Sequence, residues 1–158
     1  MTKILVVDDD SAINELIKRV NILMKHELKN AYIYMNVVMK TDENQVIKGN
    51  VNSLVQVVNN MISNAIQAYE GKHDQNIEMI VNKKENNIVI SITDFAGGLP
   101  KEVQDRLFKE MVTTKGKNGT GLGLYMSYSN IKAHFGGDIT YVTETGKGTT
   151  FNIIIPLR

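Results

Sequence analysis

The chain has 158 residues, 42% of them hydrophobic, and a formal net charge of +1. That is enough apolar content for one domain with one core, and too little charge to recruit nucleic acid or anionic lipid through a global field. The absence of cysteine excludes a disulfide framework and thiolate metal sites and fits a reducing compartment. No apolar run approaches the roughly 18 residues of a membrane span, and the opening MTKILVVDDD ends in acids rather than the small residues of a signal peptide. The expectation is a soluble, cytoplasmic domain with no membrane segment and no nucleic-acid partner.

Ile4 to Val7 is a short β-branched run, and Asp8-Asp9-Asp10-Ser11 is placed to cap a helix beginning near Ala12. In that helix Ile13, Leu16, Ile17, Val20, Leu23, Met24 and Leu28 fall on one stripe at 3.6 spacing, with Ile22 off it. Tyr32 to Met39 and Gln45 to Lys48 read as strands, the second ending at Gly49-Asn50. From Ser53 to Tyr69 a second helix carries Leu54, Val57, Val58, Met61, Ile62, Ala65 and Tyr69 on its apolar stripe. Asn60 and Asn64 stand one turn apart on its flank, so both amides are expected to face the same place.

Beyond Gly71, IEMIVN and NIVISIT are alternating runs, an antiparallel pair that delivers Asp94 at its end. A third helix runs from Gly121 to about Phe135 and is stopped by Gly136-Gly137. DITYVTE and TTFNIIIP follow as strands joined by Thr145-Gly-Lys-Gly148. The layout is three main helices on one face of a mixed sheet.

The most informative stretch lies between Asp94 and Ser127. Asp94 closes an apolar strand and is followed by a turn at Gly97-Gly98, a place for a flat ligand. The cluster Gly119-Thr120-Gly121-Leu122-Gly123 opens a helix, where free backbone N–H groups and the positive helix terminus favour an anion such as phosphate. Between them a polar, lysine-bearing segment is long enough to close as a lid. Together they read as a nucleotide site.

Four boxes occur in order: LVQVVNNMISNAIQA, DFAGGLP, LFKEMVTTK and GTGLGL, with HFGG and GKGTTF beyond them. The set resembles the catalytic, ATP-binding domain of sensor histidine kinases, and the resemblance covers Ser11 to the C-terminus. It implies an α+β fold, a two-layer α/β sandwich with a mixed, mostly antiparallel sheet, the Bergerat ATP-binding fold shared with DNA gyrase, a heat-shock chaperone and mismatch-repair ATPases. It implies ATP and Mg²⁺ as cofactors. Asp94 would accept from the adenine amine, Thr149 would support adenine through water, and Asn64 would hold the metal. Asn60 would lie beside the metal and phosphates, and Lys115 would reach them from the lid, these two being the catalytic candidates. Gly98, Gly119, Thr120, Gly121, Leu122 and Gly123 would complete the nucleotide site. GxxxxGK followed by Ser or Thr, the common phosphate loop, does not occur.

Departures from the family pattern stand at Phe95, where Asn is usual, at Ala96 in place of glycine, at Met111-Val112 in place of a second aromatic, and at Gln67 in place of a basic residue. His26-Glu-Leu-Lys-Asn30 resembles the family's phosphoacceptor motif. Too few residues separate it from Asn64 for a helical hairpin plus the domain's own first helix, so His26 is read as an exposed residue of that first helix. KILVVDDDSAINELI resembles the start of a response-regulator receiver but lacks that domain's later aspartate and lysine. Residues 1–10 are therefore read as a receiver-like replacement first strand and 11–158 as the catalytic domain. The implied function is transfer of the γ-phosphoryl of ATP to a histidine on a separate dimerisation domain, with a response regulator downstream. The alternative is a non-catalytic adenine-nucleotide-sensing or interaction module.

Overall fold

The computed structural model describes residues 11–105, 107 and 121–157. The receiver-like run 4–7, the acids 8–10 and most of the lid, including Lys115, Gly119 and Thr120, lie outside them. Twelve of the described residues' elements matter here only as two layers. Helix α1 (Ile13–Ala31), helix α2 (Val51–Ala68) and helix α4 (Gly121–Asn130) cover one face of a five-stranded sheet. A short helix α3 (Lys101–Gln104) follows the Asp94 turn.

The sheet contains β2 (Ile33–Met39), β4 (Gln75–Lys84), β5 (Asn87–Asp94), β6 (Asp138–Glu144) and β7 (Gly148–Pro156), in the order β2-β4-β5-β7-β6. Only β2 and β4 are parallel; the other three pairings are antiparallel. The expected α+β sandwich with a mixed, mostly antiparallel sheet is thus observed. Strand alternation decides what faces the helices. Ile77, Met79 and Val81 of β4, Ile88, Ile90 and Ile92 of β5, and Phe151, Ile153 and Ile155 of β7 are all buried. On the opposite face the same strands place hydrogen-bonded polar pairs, Thr93 with Thr150 at 2.7 Å and Ser91 with Asn152 at 2.6 Å. Continued one step, the buried stripe of β5 ends on a carboxylate, Asp94, opposite Ile77 on one side and Thr149 on the other.

The helix stripes match with one exception. All seven expected residues of the second helix are buried. In α1, Ile22 is exposed as expected, but Leu23 is 61% exposed. Leu23 sits about 80° around the helix from Ile13, beyond the edge of the strip that Leu16, Val20 and Met24 press into the core. The start of α1 also differs from expectation. Ser11 and Ala12 form a two-residue strand, β1, antiparallel to β3 (Val46–Ile47), and Ala12 occupies the cap position with no side-chain cap. The first free helix N–H groups are satisfied instead by tertiary bonds, Ile13 to the Gln45 carbonyl and Asn14 to the Glu43 carbonyl, each 2.9 Å. Helix α2 does have a side-chain cap, Asn50, which accepts from the N–H groups of Asn52 and Ser53.

The third helix does not stay α-helical. Its last turn, Ile131–Phe135, widens into a π-helical turn, closed by Gly136 in the left-handed conformation.

His26 is exposed on α1, and α1 leads straight into β2. It is a helix of the domain itself and no second hairpin helix follows it. Incubation with Mg-ATP is therefore expected to give no acid-labile phosphate on His26, and a label lost in His26→Gln would contradict this reading.

Candidate functional site

The site begins where β5 and β7 end side by side. Asp94 is 5% exposed, at the bottom of a cavity of about 210 Å³ also lined by Asn64 and Gln67 of α2, Gly98 and Leu99 of the turn, Leu124 of α4, and Thr149 and Phe151 of β7. Burial pushes the Asp94 carboxyl above the usual carboxylate range; the backbone N–H groups of Ala96 and Thr149 oppose that rise without cancelling it. The Ala96 N–H lies 3.1 Å from Oδ1. The result is a desolvated acceptor at the end of an apolar slot, suited to a planar group that offers an N–H.

Three hydroxyls hold that slot in shape. Tyr69, the last residue of the α2 stripe, accepts from the Phe95 N–H at 2.7 Å and donates to the Asn76 carbonyl, pinning the chain just after Asp94 to β4. Burial, and secondarily the charge of Asp94, raise the Tyr69 pKa, so the phenol keeps the proton it donates. Thr143 accepts from the Leu99 N–H at 2.9 Å and is 2.9 Å from the buried Thr149 hydroxyl. Of these, sequence reasoning singled out only Thr149. Tyr69 looked like plain core, and a tyrosine at the end of an otherwise aliphatic stripe was the available signal.

The glycines separate by cause. Gly98 has φ of +85°, and a Cβ there would come within 2.8 Å of the Glu144 carbonyl oxygen; at Gly148 one would collide with the Asp94 backbone. Both are demanded by the fold. Gly98→Ala is expected to lower stability by about 1–2 kcal/mol through its left-handed backbone alone, measured by denaturant unfolding of the free chain. Gly123 is different. Among the described residues a Cβ there would meet only Asn60, at an ordinary 3.8 Å.

The two asparagines line adjoining spaces. Asn64 faces the slot with Asp94, while Asn60, one turn earlier, lines a neighbouring groove with Gly123 and Ser127. Both amides flank the start of α4, Asn60 beside Gly123 and Asn64 beside Leu124. Among the described residues the buried amide nitrogen of Asn64 has no hydrogen-bond partner, an unsatisfied state that a ligand can relieve. Rotation about its last bond exchanges nitrogen and oxygen, so the same position can present an oxygen to a hard cation. Among the described residues no group of three or more His, Cys, Asp or Glu side chains gathers as a metal site. A cation held here by the Asn64 oxygen would take the rest of its shell from ligand and water oxygens, which suits Mg²⁺. Gly121 and Leu122 contribute the first residues of α4, so the expected helix N-terminus lies at the glycine cluster. Phe95, one of the departures, is 56% exposed and is not part of the slot lining, whereas Gln67 is.

Comparison with known proteins agrees with this architecture. Residues 49–158 match the histidine kinase-, DNA gyrase B-, and HSP90-like ATPase family. Sporulation kinase C of Bacillus subtilis is 34% identical over 148 residues, 92% of this chain and 33% of that protein. Sensor histidine kinase ZraS of Escherichia coli is 35% identical over 112 residues, 71% of this chain and 23% of that protein. This chain thus spans a third or less of the length of these relatives. Among solved structures, the catalytic domain of histidine kinase ThkA superposes with a TM-score of 0.80 at 25% identity, covering 93% of both chains. ThkA in complex with the response regulator protein TrrA shares the fold at a TM-score of 0.77. Among the described residues no helix is long and apolar enough to cross a membrane. The slot, its helices and these similarities lead to one conclusion: the chain belongs to the histidine kinase-, DNA gyrase B-, and HSP90-like ATPase family.

Proposed function

We propose that this chain is the Mg-ATP-binding catalytic domain of a cytoplasmic sensor histidine kinase, passing the γ-phosphoryl of ATP to a histidine on a separate dimerisation domain, with a response regulator downstream. The observation that carries the reading is the convergence of Asp94, Thr149 and Asn64 on one slot beside the N-terminus of α4. Asp94 accepts from the exocyclic amine of adenine. Guanine presents a carbonyl there and is repelled. Leu99, Leu124 and Phe151 enclose the ring, and Thr149 supports it through water. Asn64 holds Mg²⁺, which when bound neutralises phosphate charge and shapes the triphosphate. The backbone from Gly119 through Gly123, with Thr120 and Leu122, faces the phosphates, where the positive end of α4 helps. Asn60 sits beside them, and Lys115 is the candidate reaching in from the lid.

Calorimetric titration with Mg-ATP tests this directly. The chain is expected to bind, and Asn64→Ala is expected to weaken binding at least about tenfold; no binding by the unmodified chain would refute the proposal. Gln67 on the slot lining, where the family places a base, favours a second reading in which the domain senses adenine nucleotide without transferring phosphate. Phosphotransfer to a supplied histidine-bearing dimerisation domain separates the two.

A further inference from the structure

Resting on the nucleotide reading above, we infer that Ser127 is a positioning residue that holds the Asn60 side chain in place toward the phosphates. Ser127 is 2% exposed on α4, one turn after Gly123. Its hydroxyl accepts a hydrogen bond from Asn60 Nδ2 at 3.2 Å, across 67 residues of sequence. A hydroxyl buried among apolar side chains costs stability unless it is bonded, and here its partner is a residue of the candidate site.

The bond fixes the Asn60 amide in space. Its nitrogen only donates and its oxygen only accepts, and the two occupy opposite branches of Cγ. Held on Ser127 by Nδ2, the side chain has Oδ1 on its other branch; because the hydroxyl also donates, the bond fixes where the amide stands rather than which end is free. It leaves the amide's other branch for a ligand. Among the described residues nothing anchors the Asn64 Nδ2 in this way. Successive turns of α4 thus treat Asn60 in two ways. Gly123 meets it without a side chain, at a point where a Cβ would stand at an ordinary 3.8 Å from Asn60 Cγ, and Ser127 holds it in place. A bond between α2 and α4 could also serve only to join the helices, so the test must distinguish the two roles.

The free chain, Ser127→Ala, Asn60→Ala and the double variant are titrated with a non-hydrolysable Mg-bound ATP analogue and with ADP without Mg²⁺. Thermal unfolding of each is measured alongside. Ser127→Ala is expected to weaken the triphosphate about three- to tenfold, the worth of one neutral hydrogen bond, and to leave ADP unchanged. In the Asn60→Ala background the same substitution is expected to add nothing, because it acts only through Asn60. Ser127→Cys, which keeps the volume with a weaker acceptor, guards against a folding defect and is expected to behave like Ser127→Ala. Equal losses for both nucleotides, an unchanged ratio, or the same loss without Asn60 would overturn the inference. If the unmodified chain binds neither nucleotide, the nucleotide reading has failed first; if it binds both and only the ratio fails to move, the fault lies with Ser127.

Discussion

Asp94→Asn is expected to weaken ATP binding by about 1–3 kcal/mol, roughly 5- to 150-fold, and to abolish any preference over GTP. The loss follows from replacing a charged acceptor by a neutral one at the bottom of a slot from which water is largely excluded. The free protein should respond in the opposite direction. Burial raises the Asp94 pKa, so its contribution to stability is fully present below the ordinary carboxylate range. That contribution is lost as the pH rises through the elevated folded value. At neutral pH the bare carboxylate is a cost that asparagine removes, while asparagine's oxygen can still accept from the Ala96 N–H. Asp94→Asn should therefore unfold at a higher temperature than the unmodified chain without nucleotide, and gain much less on adding Mg-ATP. The same titration predicts that ATP affinity falls with acidification at a pH above the ordinary carboxylate range. Equal affinities for ATP and GTP in the unmodified chain, or a variant destabilised in the free state, would refute the assignment.

The unmodified chain is expected to release phosphate from Mg-ATP slowly, because Asn60 stands where the ATPases that this sequence resembles typically carry a glutamate that activates water. An amide can orient water but cannot take its proton at neutral pH, and a missing general base costs about 10²–10⁴-fold in rate. A neutral imidazole is already a nucleophile and needs less help, so under the proposed function the pocket would favour transfer to histidine over hydrolysis. Asn60→Glu is the matching gain-of-function variant. The new carboxylate would lose the bond that Nδ2 donates to Ser127, but it could accept from the Ser127 O–H instead. Phosphate release is expected to rise if water is held within its reach. Rapid turnover by the unmodified chain, abolished by Asn64→Ala, would show that the chemistry has been misassigned.

Much of this was legible in the sequence because it depends on local periodicity. Alternation in NIVISITD places Asp94 on the same face as Ile90 and Ile92, and so in the core, before any partner strand is known. The 3.6-residue spacing of α2 predicts its buried stripe, and Gly136 marks the end of the third helix through its backbone freedom. The family boxes named the candidates, and their order along the chain is local information too.

The tertiary structure decided what depends on contacts between distant segments. Ser11 reads as a cap, yet the strand pairing with Val46–Ile47 pulls it extended and lets carbonyls of Gln45 and Glu43 finish the helix. Leu23 fits the α1 period, but lies just outside the angle that the sheet and α2 cover. Asn60 and Asn64 share a helix flank in sequence; the approach of α4 ties one to Ser127 and, among the described residues, leaves the other's amide nitrogen without a partner. Tyr69 and Thr143 acquire their roles because β4, the Asp94 turn and β6 meet around them. Side-chain periodicity determines which face of an element is buried. Which polar groups then find partners is fixed only when the elements come together, because an unpaired buried donor or acceptor is costly and its partner stands far away in sequence.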